Sequence, residues 1–393
     1  MRYEQADWLA SRLDRILDFY YPDGIDTEHG GYIAQFDVET GEIYDPDSKH
    51  LVATCRYIVN FCIGAKYDDA NKDEWLDAAD HGVQFLREAH YDAETRGYHW
   101  LLDGTKPVEQ RRVCYGHAFV LLAYARAAEA GIDGAEQYLD ETYDLIIDHF
   151  WEPEYGLCKS EYDAEFETAL SYRGQNANMH TCEAMLAAYE ATEETQYLDR
   201  AQDIAHALTV TLAAEHDGLL WEHYTEGWDH DLEYNRDKPD DLFRPWGFQP
   251  GHHVEWAKLL AILDRYTDTD WALDRAEEMF DIAIDGGWDE EYGGFVYNFD
   301  FEKEPIVDDK YGWPVAEAIG GAAALYERTG DAAYLEWYND LWAYAQEHLT
   351  APGGNFYNKL TVDNEPYATG DGPESEPGYH PIGACFEGLR SLE

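Results

Sequence analysis

Residues 51–65, LVATCRYIVNFCIGA, hold one charge, Arg56, and no helix breaker beyond a single glycine. A helix that is apolar on every side must be covered on every side. Residues 315–326 repeat the pattern, mostly alanine and glycine around Glu317. Other helical stretches differ. Trp75-Leu76-Asp77-Ala78-Ala79-Asp80 is amphipathic, with its acids on one face. A glycine-plus-aromatic hairpin recurs roughly every 60–75 residues: Gly30-Gly31-Tyr32, Gly97-Tyr98-His99-Trp100, Tyr155-Gly156-Leu157, Asp217-Gly218-Leu219, Tyr292-Gly293-Gly294-Phe295 and Gly353-Gly354-Asn355-Phe356. Two helical patterns lie between successive hairpins. The expectation is all-α: six buried and six outer helices in an (α/α)6 barrel. Short β-hairpins lie at the mouth, and residues 1–393 form a single domain. An open solenoid is the competing architecture, but its repeats are usually shorter and carry no hairpins.

Charge narrows the functional classes. There are 82 acidic against 27 basic residues, a formal net charge of −55. That balance opposes binding to nucleic acid or to anionic membrane surfaces. The acids are spread along the chain, and the aromatic content of 15% is that of a folded protein. A fold so coated repels itself unless concentrated salt screens it. The surface resembles those of extremely halophilic archaea. No apolar run is long enough to span a bilayer, and the N-terminus lacks the apolar core of a signal peptide, so a cytoplasmic location is expected. A homo-oligomer is left open. None of the six cysteines forms a CxxC unit, which leaves zinc and redox chemistry without support.

Each buried helix opens with polar groups: Arg56; Tyr115 and His117; Asn176, Asn178, His180 and Glu183; His252, His253 and Glu255; Trp313 and Glu317; His380. Charge inside an apolar helix is costly unless paired or facing a polar cavity. Gathering these groups around one pocket relieves that cost and assembles a site. Imidazole titrates near neutrality, so His252, His380 and His180 are candidate acid/base groups. Residues i and i+3 share a helix face. Glu255 is therefore expected to accept from His252, and Glu183 from His180. The plainer alternatives are a structural ion pair for Arg56, a wall or hydrogen-bond role for His117, and first-turn capping for both glutamates. A metal site is a rival, but His-x-x-Glu reverses the Glu-x-x-His order of di-iron bundles, and no HExxH or calcium loop accompanies it. Neither a metal nor any other cofactor is expected.

Several of these stretches resemble a known family. Tyr172-Arg173-Gly174-Gln175-Asn176-Ala177-Asn178-Met179-His180 with Glu183-Ala184 is similar to the N-acylglucosamine 2-epimerase superfamily, in particular its mannose and sulfoquinovose isomerase branch. So are residues 243–252 (FRPWGFQPGH) with Glu255-Trp256, Trp313-Pro314 with Glu317-Ala318, and Tyr379-His380. The likeness runs nearly end to end. It implies an (α/α)6 barrel and cofactor-free sugar isomerisation. His252 and His380 would be the acid/base pair, and His180 would assist ring opening or bind the sugar. Arg56, Tyr115, His117, Asn176, Arg244, Glu255, Trp313 and Glu317 would bind substrate, with Glu183 supporting from behind. Two departures bear on the sugar. The loop 368–378 is Gly-, Pro- and acid-rich. Leu242 and Phe243 precede Arg244 where a further base would serve an anionic substrate.

The expected reaction is mannose–fructose interconversion through a cis-enediolate. Three alternatives stay open: a 2-epimerase, a glycoside hydrolase using Glu255 and Glu317, and a sugar-binding module stacking sugars on Trp246, Trp256 and Trp313.

Overall fold

The computed structural model describes residues 2–368 and 376–392. Twelve α-helices occur among them: α1 (Ala6–Tyr20), α2 (Leu51–Tyr67), α3 (Lys72–Phe85), α4 (Cys114–Glu129), α5 (Ala135–Leu145), α6 (Gln175–Thr192), α7 (Thr195–His206), α8 (Pro250–Tyr266), α9 (Ala272–Gly287), α10 (Gly312–Thr329), α11 (Ala332–Tyr344) and α12 (Tyr379–Ser391). The chain forms two compact units. One comprises residues 1–13, 205–369 and 380–393; the other comprises 14–204 and 370–379. We call them the C-terminal and N-terminal units.

In the N-terminal unit α2, α4 and α6 pack as successive neighbours, with α3 against α2 and α5 against α4. Helix α2 is buried from Leu51 through Ala65, as its composition requires. Helix α3 buries Trp75, Ala78, Ala79, Gly82, Val83 and Phe85, a spacing of one face, and leaves its acids outside. The outer helices end in a wide turn. After α3 the Tyr91 amide donates to the Leu86 carbonyl, and after α5 Trp151 donates to Ile146, each five residues back. The hairpins follow these turns: Tyr91 bridges Tyr98, and Trp151 and Glu152 pair antiparallel with Cys158 and Leu157.

In the C-terminal unit α8 packs against α9 and α10, and α10 against α11. Its hairpins pair Trp288 with Phe295 and Thr350 with Phe356. The Gly294 backbone (φ +81°) needs glycine twice over, since a Cβ there would also stand 2.3 Å from the Tyr344 hydroxyl. Residues 296–299, 305–311 and 359–360 make a three-stranded antiparallel sheet that leads into α10.

Candidate active site

Two imidazole–carboxylate pairs lie in the C-terminal unit. His252 is the third residue of α8. Its Nδ1–H donates to Oε1 of Glu222 at 2.9 Å, and both side chains are buried. His380, in the first turn of α12, donates Nδ1–H to Oε1 of Glu317 at 2.7 Å. The second oxygen of Glu317 forms an ion pair with Lys258 of α8. A carboxylate only accepts, so each Nδ1 carries the proton and each Nε2 is the basic nitrogen. The two rings contact one indole. Trp313 lies 5.2 Å from His252 and 6.0 Å from His380, centroid to centroid. The indole reaches His252 because residue 251 is glycine: a Cβ there would meet the ring at 2.3 Å.

The N-terminal unit holds a third pair. His180, the sixth residue of α6, donates Nδ1–H to Oε2 of Glu183 at 2.9 Å, one turn along the same helix. The other oxygen of Glu183 accepts from the Tyr379 hydroxyl at 2.8 Å. Tyr115 and Phe119 pack their rings on His180. Arg56 is buried between the faces of Phe119 and Tyr379, at 4.5 and 4.7 Å, and is ion-paired with Glu376. It also donates to the Tyr115 hydroxyl at 3.3 Å. Burial alone would lower its proton affinity, but the Glu376 carboxylate, with Tyr115 and Tyr379 beside it, holds it above the ordinary guanidinium value. Asn176 is the second residue of α6, and its Oδ1 is buried without a protein partner among the described residues.

Several expectations need correcting. The partner of the His252 Nδ1 is Glu222, from the preceding hairpin, where Glu255 was expected. His252 sits in the first turn of α8, where the incoming chain already delivers a carboxylate. His180 lies a turn deeper in α6, and its partner comes from its own helix. His117 is no sugar ligand. Its Nδ1–H donates to the Val113 carbonyl at 2.8 Å and its Nε2 accepts the Tyr98 amide at 3.2 Å. Both nitrogens are used, and burial pushes its pKa down to about 3. His253 does the same work between Gln249 and Leu220, and burial lowers it to about 4. Asn178 bonds Cys158 and Gly174 in that manner from α6. The fourth residue of α4, α6 and α8 is thus a staple from helix to hairpin. Exposure separates the two kinds of histidine: His117 and His253 are 0% exposed, whereas His180, His252 and His380 keep 4–6%. Glu317, expected among the sugar contacts, has its two oxygens on His380 and Lys258. Trp256 is fully buried and offers no stacking face. Arg244 is held by the Tyr234 hydroxyl at 3.1 Å on the loop before α8. Most of the loop 368–378 lies outside the described residues.

Glu222, Lys258 and Glu376 were missed. Glu222 left one trace, as the lone acid directly after the apolar run Leu219-Leu220-Trp221 of the Gly218 hairpin.

This pairing of carboxylate-oriented imidazoles on helix N-termini is an arrangement that can move protons near neutral pH. The model of the family described as N-acylglucosamine 2-epimerase (GlcNAc 2-epimerase) matches residues 31–384, and the chain belongs to that family. It is an enzyme of the isomerase and epimerase class with the (α/α)6 barrel fold. Among its relatives, the D-mannose isomerase of Marinomonas mediterranea is 40% identical over 99% of this chain and 98% of its own length. The D-mannose isomerase of Thermobifida fusca is 38% identical over 95% of this chain and 91% of its own. A crystal structure of a D-mannose isomerase superposes with a TM-score of 0.94 at 40% identity, covering 98% of both chains.

Proposed function

We propose that this protein interconverts D-mannose and D-fructose by imidazole-mediated proton transfer. The observation that carries the reading is the double pair His252–Glu222 and His380–Glu317, both imidazoles in ring contact with Trp313; the D-mannose isomerases at 38–40% identity agree with it. One imidazole takes the C2 proton of open-chain mannose through Nε2, and the C2–H electrons move into the C1 carbonyl to form a cis-enediolate. The other, as imidazolium, protonates O1 and later receives the O2 proton. Return of the first proton to C1 gives fructose. The buried carboxylates stabilise whichever imidazole becomes charged. Acid/base help of this kind is worth about 10²–10⁴-fold, and donors at the helix N-termini polarise the carbonyl for the remainder. Arg56, Tyr115, Asn176 and Arg244 contact sugar hydroxyls in this reading, Trp313 supplies an apolar ring face, and His180 assists ring opening.

Neither nucleic acid nor membrane is a partner in this reading. No helix among the described residues is long and apolar enough to cross a membrane. The net charge of −55 supports the reading of a protein that works in concentrated salt, in the cytoplasm of a halophilic archaeon. Residues 1–393 act as one catalytic domain, since the family match runs through both units.

The test is NMR of mannose, fructose, glucose and a mannoside, each incubated with the protein in D₂O at multimolar salt. Mannose–fructose conversion with deuterium entering at C1 is expected. Release of free sugar from a mannoside without exchange at carbon would replace this reading with hydrolysis, and mannose–glucose conversion would replace it with 2-epimerisation. Dialysis to low salt should unfold or inactivate the protein; full activity there would refute the salt requirement.

A further inference from the structure

Helix α8 carries His252 as its third residue and Lys258 as its ninth. The side chain of Lys258 is 11% exposed and that of Glu317 only 3%. The lysine stem runs beside Gly320 of α10, where a Cβ would stand 3.1 Å from its Cδ. Any larger residue at 320 would crowd the stem. The ammonium therefore reaches Oε2 of Glu317 because α10 gives up a side chain there. A carboxylate this deeply buried is costly to ionise alone; a cation on one oxygen offsets the cost and leaves the other oriented. That other oxygen is the one that holds Nδ1 of His380 at 2.7 Å. At the penultimate residue of α8, Arg265 makes a comparable ion pair with the buried Glu387 of α12, next to Ser391 and Arg390 and with no histidine in the set.

We infer that Lys258 is a positioning residue for the reaction. It clamps Glu317, and through Glu317 it sets the tautomer and aim of His380. Helix α8 thus supplies one acid/base imidazole directly and fixes the other at second hand. The inference rests on the role proposed for His380, and the experiment separates the two.

Lys258→Met, Lys258→Arg and His380→Ala are compared with the parent enzyme in concentrated salt for kcat and KM on mannose and for thermal unfolding by circular dichroism. Lys258→Met is expected to lose about 10- to 100-fold in kcat, the scale of a misaimed group, with KM within about twofold and an unchanged melting profile. Lys258→Arg keeps the cation and restores most of kcat. If Lys258→Met retains parental kcat while His380→Ala is inactive, the inference fails and the reading of His380 stands. If His380→Ala turns over normally, that reading falls and the inference with it. A loss of kcat that tracks a loss of stability, and that arginine does not rescue, marks a plain helix staple and overturns the inference. Should Lys258→Met not fold, Lys258→Gln carries the same expected and refuting results.

Discussion

The two units solve the same problem at different sequence distances. In the N-terminal unit, the carboxylate for His180 sits three residues away on the same helix. In the C-terminal unit, the carboxylates for His252 and His380 come from 30 and 63 residues away. The sixth residue of α2, α6, α8 and α10 is nonetheless a charged or titratable group throughout: Arg56, His180, Glu255 and Glu317. The same depth on these four helices has been filled with different pieces of chemistry, whereas in α4 it holds Phe119. A repeat lets local geometry be copied while the partner at each copy is chosen by whichever chain segment arrives there.

The largest effect should separate the units. His252→Ala and His380→Ala are each expected to lower kcat by about 10³-fold or more while the far-ultraviolet spectrum is kept. His180→Ala, in the other unit, should lose less. If His180→Ala proved the most damaging of the three, the assignment of proton transfer to the C-terminal unit would be reversed.

Glu222→Gln tests the long-distance pairing. The amide can still accept from Nδ1–H, but it no longer balances an imidazolium. A fall of about 10- to 100-fold in kcat with little change in KM is expected. An unchanged kcat would show that His252 needs no carboxylate there.

These two cases mark what could be read without coordinates. Apolar content on every side of residues 51–65 was enough to call for a buried helix, and the recurrent Gly-aromatic hairpins were enough to call for pairs. The local pair His180–Glu183 followed from i,i+3 spacing. The same spacing suggested His252–Glu255 and was overruled, because a first-turn residue faces the entering hairpin as well as its own helix. Partners such as Glu222 and Lys258 are set by tertiary approach, which spacing along the chain does not encode. His117 was ambiguous for a related reason: an imidazole that staples a hairpin and one that moves a proton occupy neighbouring positions in the same turn.

A smaller effect is expected at Arg56. Glu376→Gln removes the carboxylate that occupies the guanidinium, which frees Arg56 for other acceptors. A severalfold change in KM with kcat within about threefold is the expected outcome in steady-state kinetics. A collapse of kcat would mean that the ion pair itself serves the chemistry.

The smallest effects concern the stapling histidines and pH. His117 at about 3 and His253 at about 4 stay neutral in the fold, against 6.5 for the unburied imidazole. The unfolded chain takes up protons below pH 6.5 that the folded chain refuses, so stability is full above 6.5 and falls as pH drops toward 4. Denaturant midpoints at constant salt should decline between pH 7.5 and 5.5, less steeply in His117→Gln, which is itself less stable. A flat profile over that range would contradict neutral burial.

The most direct measurement is carbon-bound deuterium uptake by mannose in D₂O, at multimolar salt, for the parent enzyme and for His252→Ala and His380→Ala. The account predicts label and fructose with the parent and neither with the two variants. Label appearing at the parental rate in either variant would contradict it.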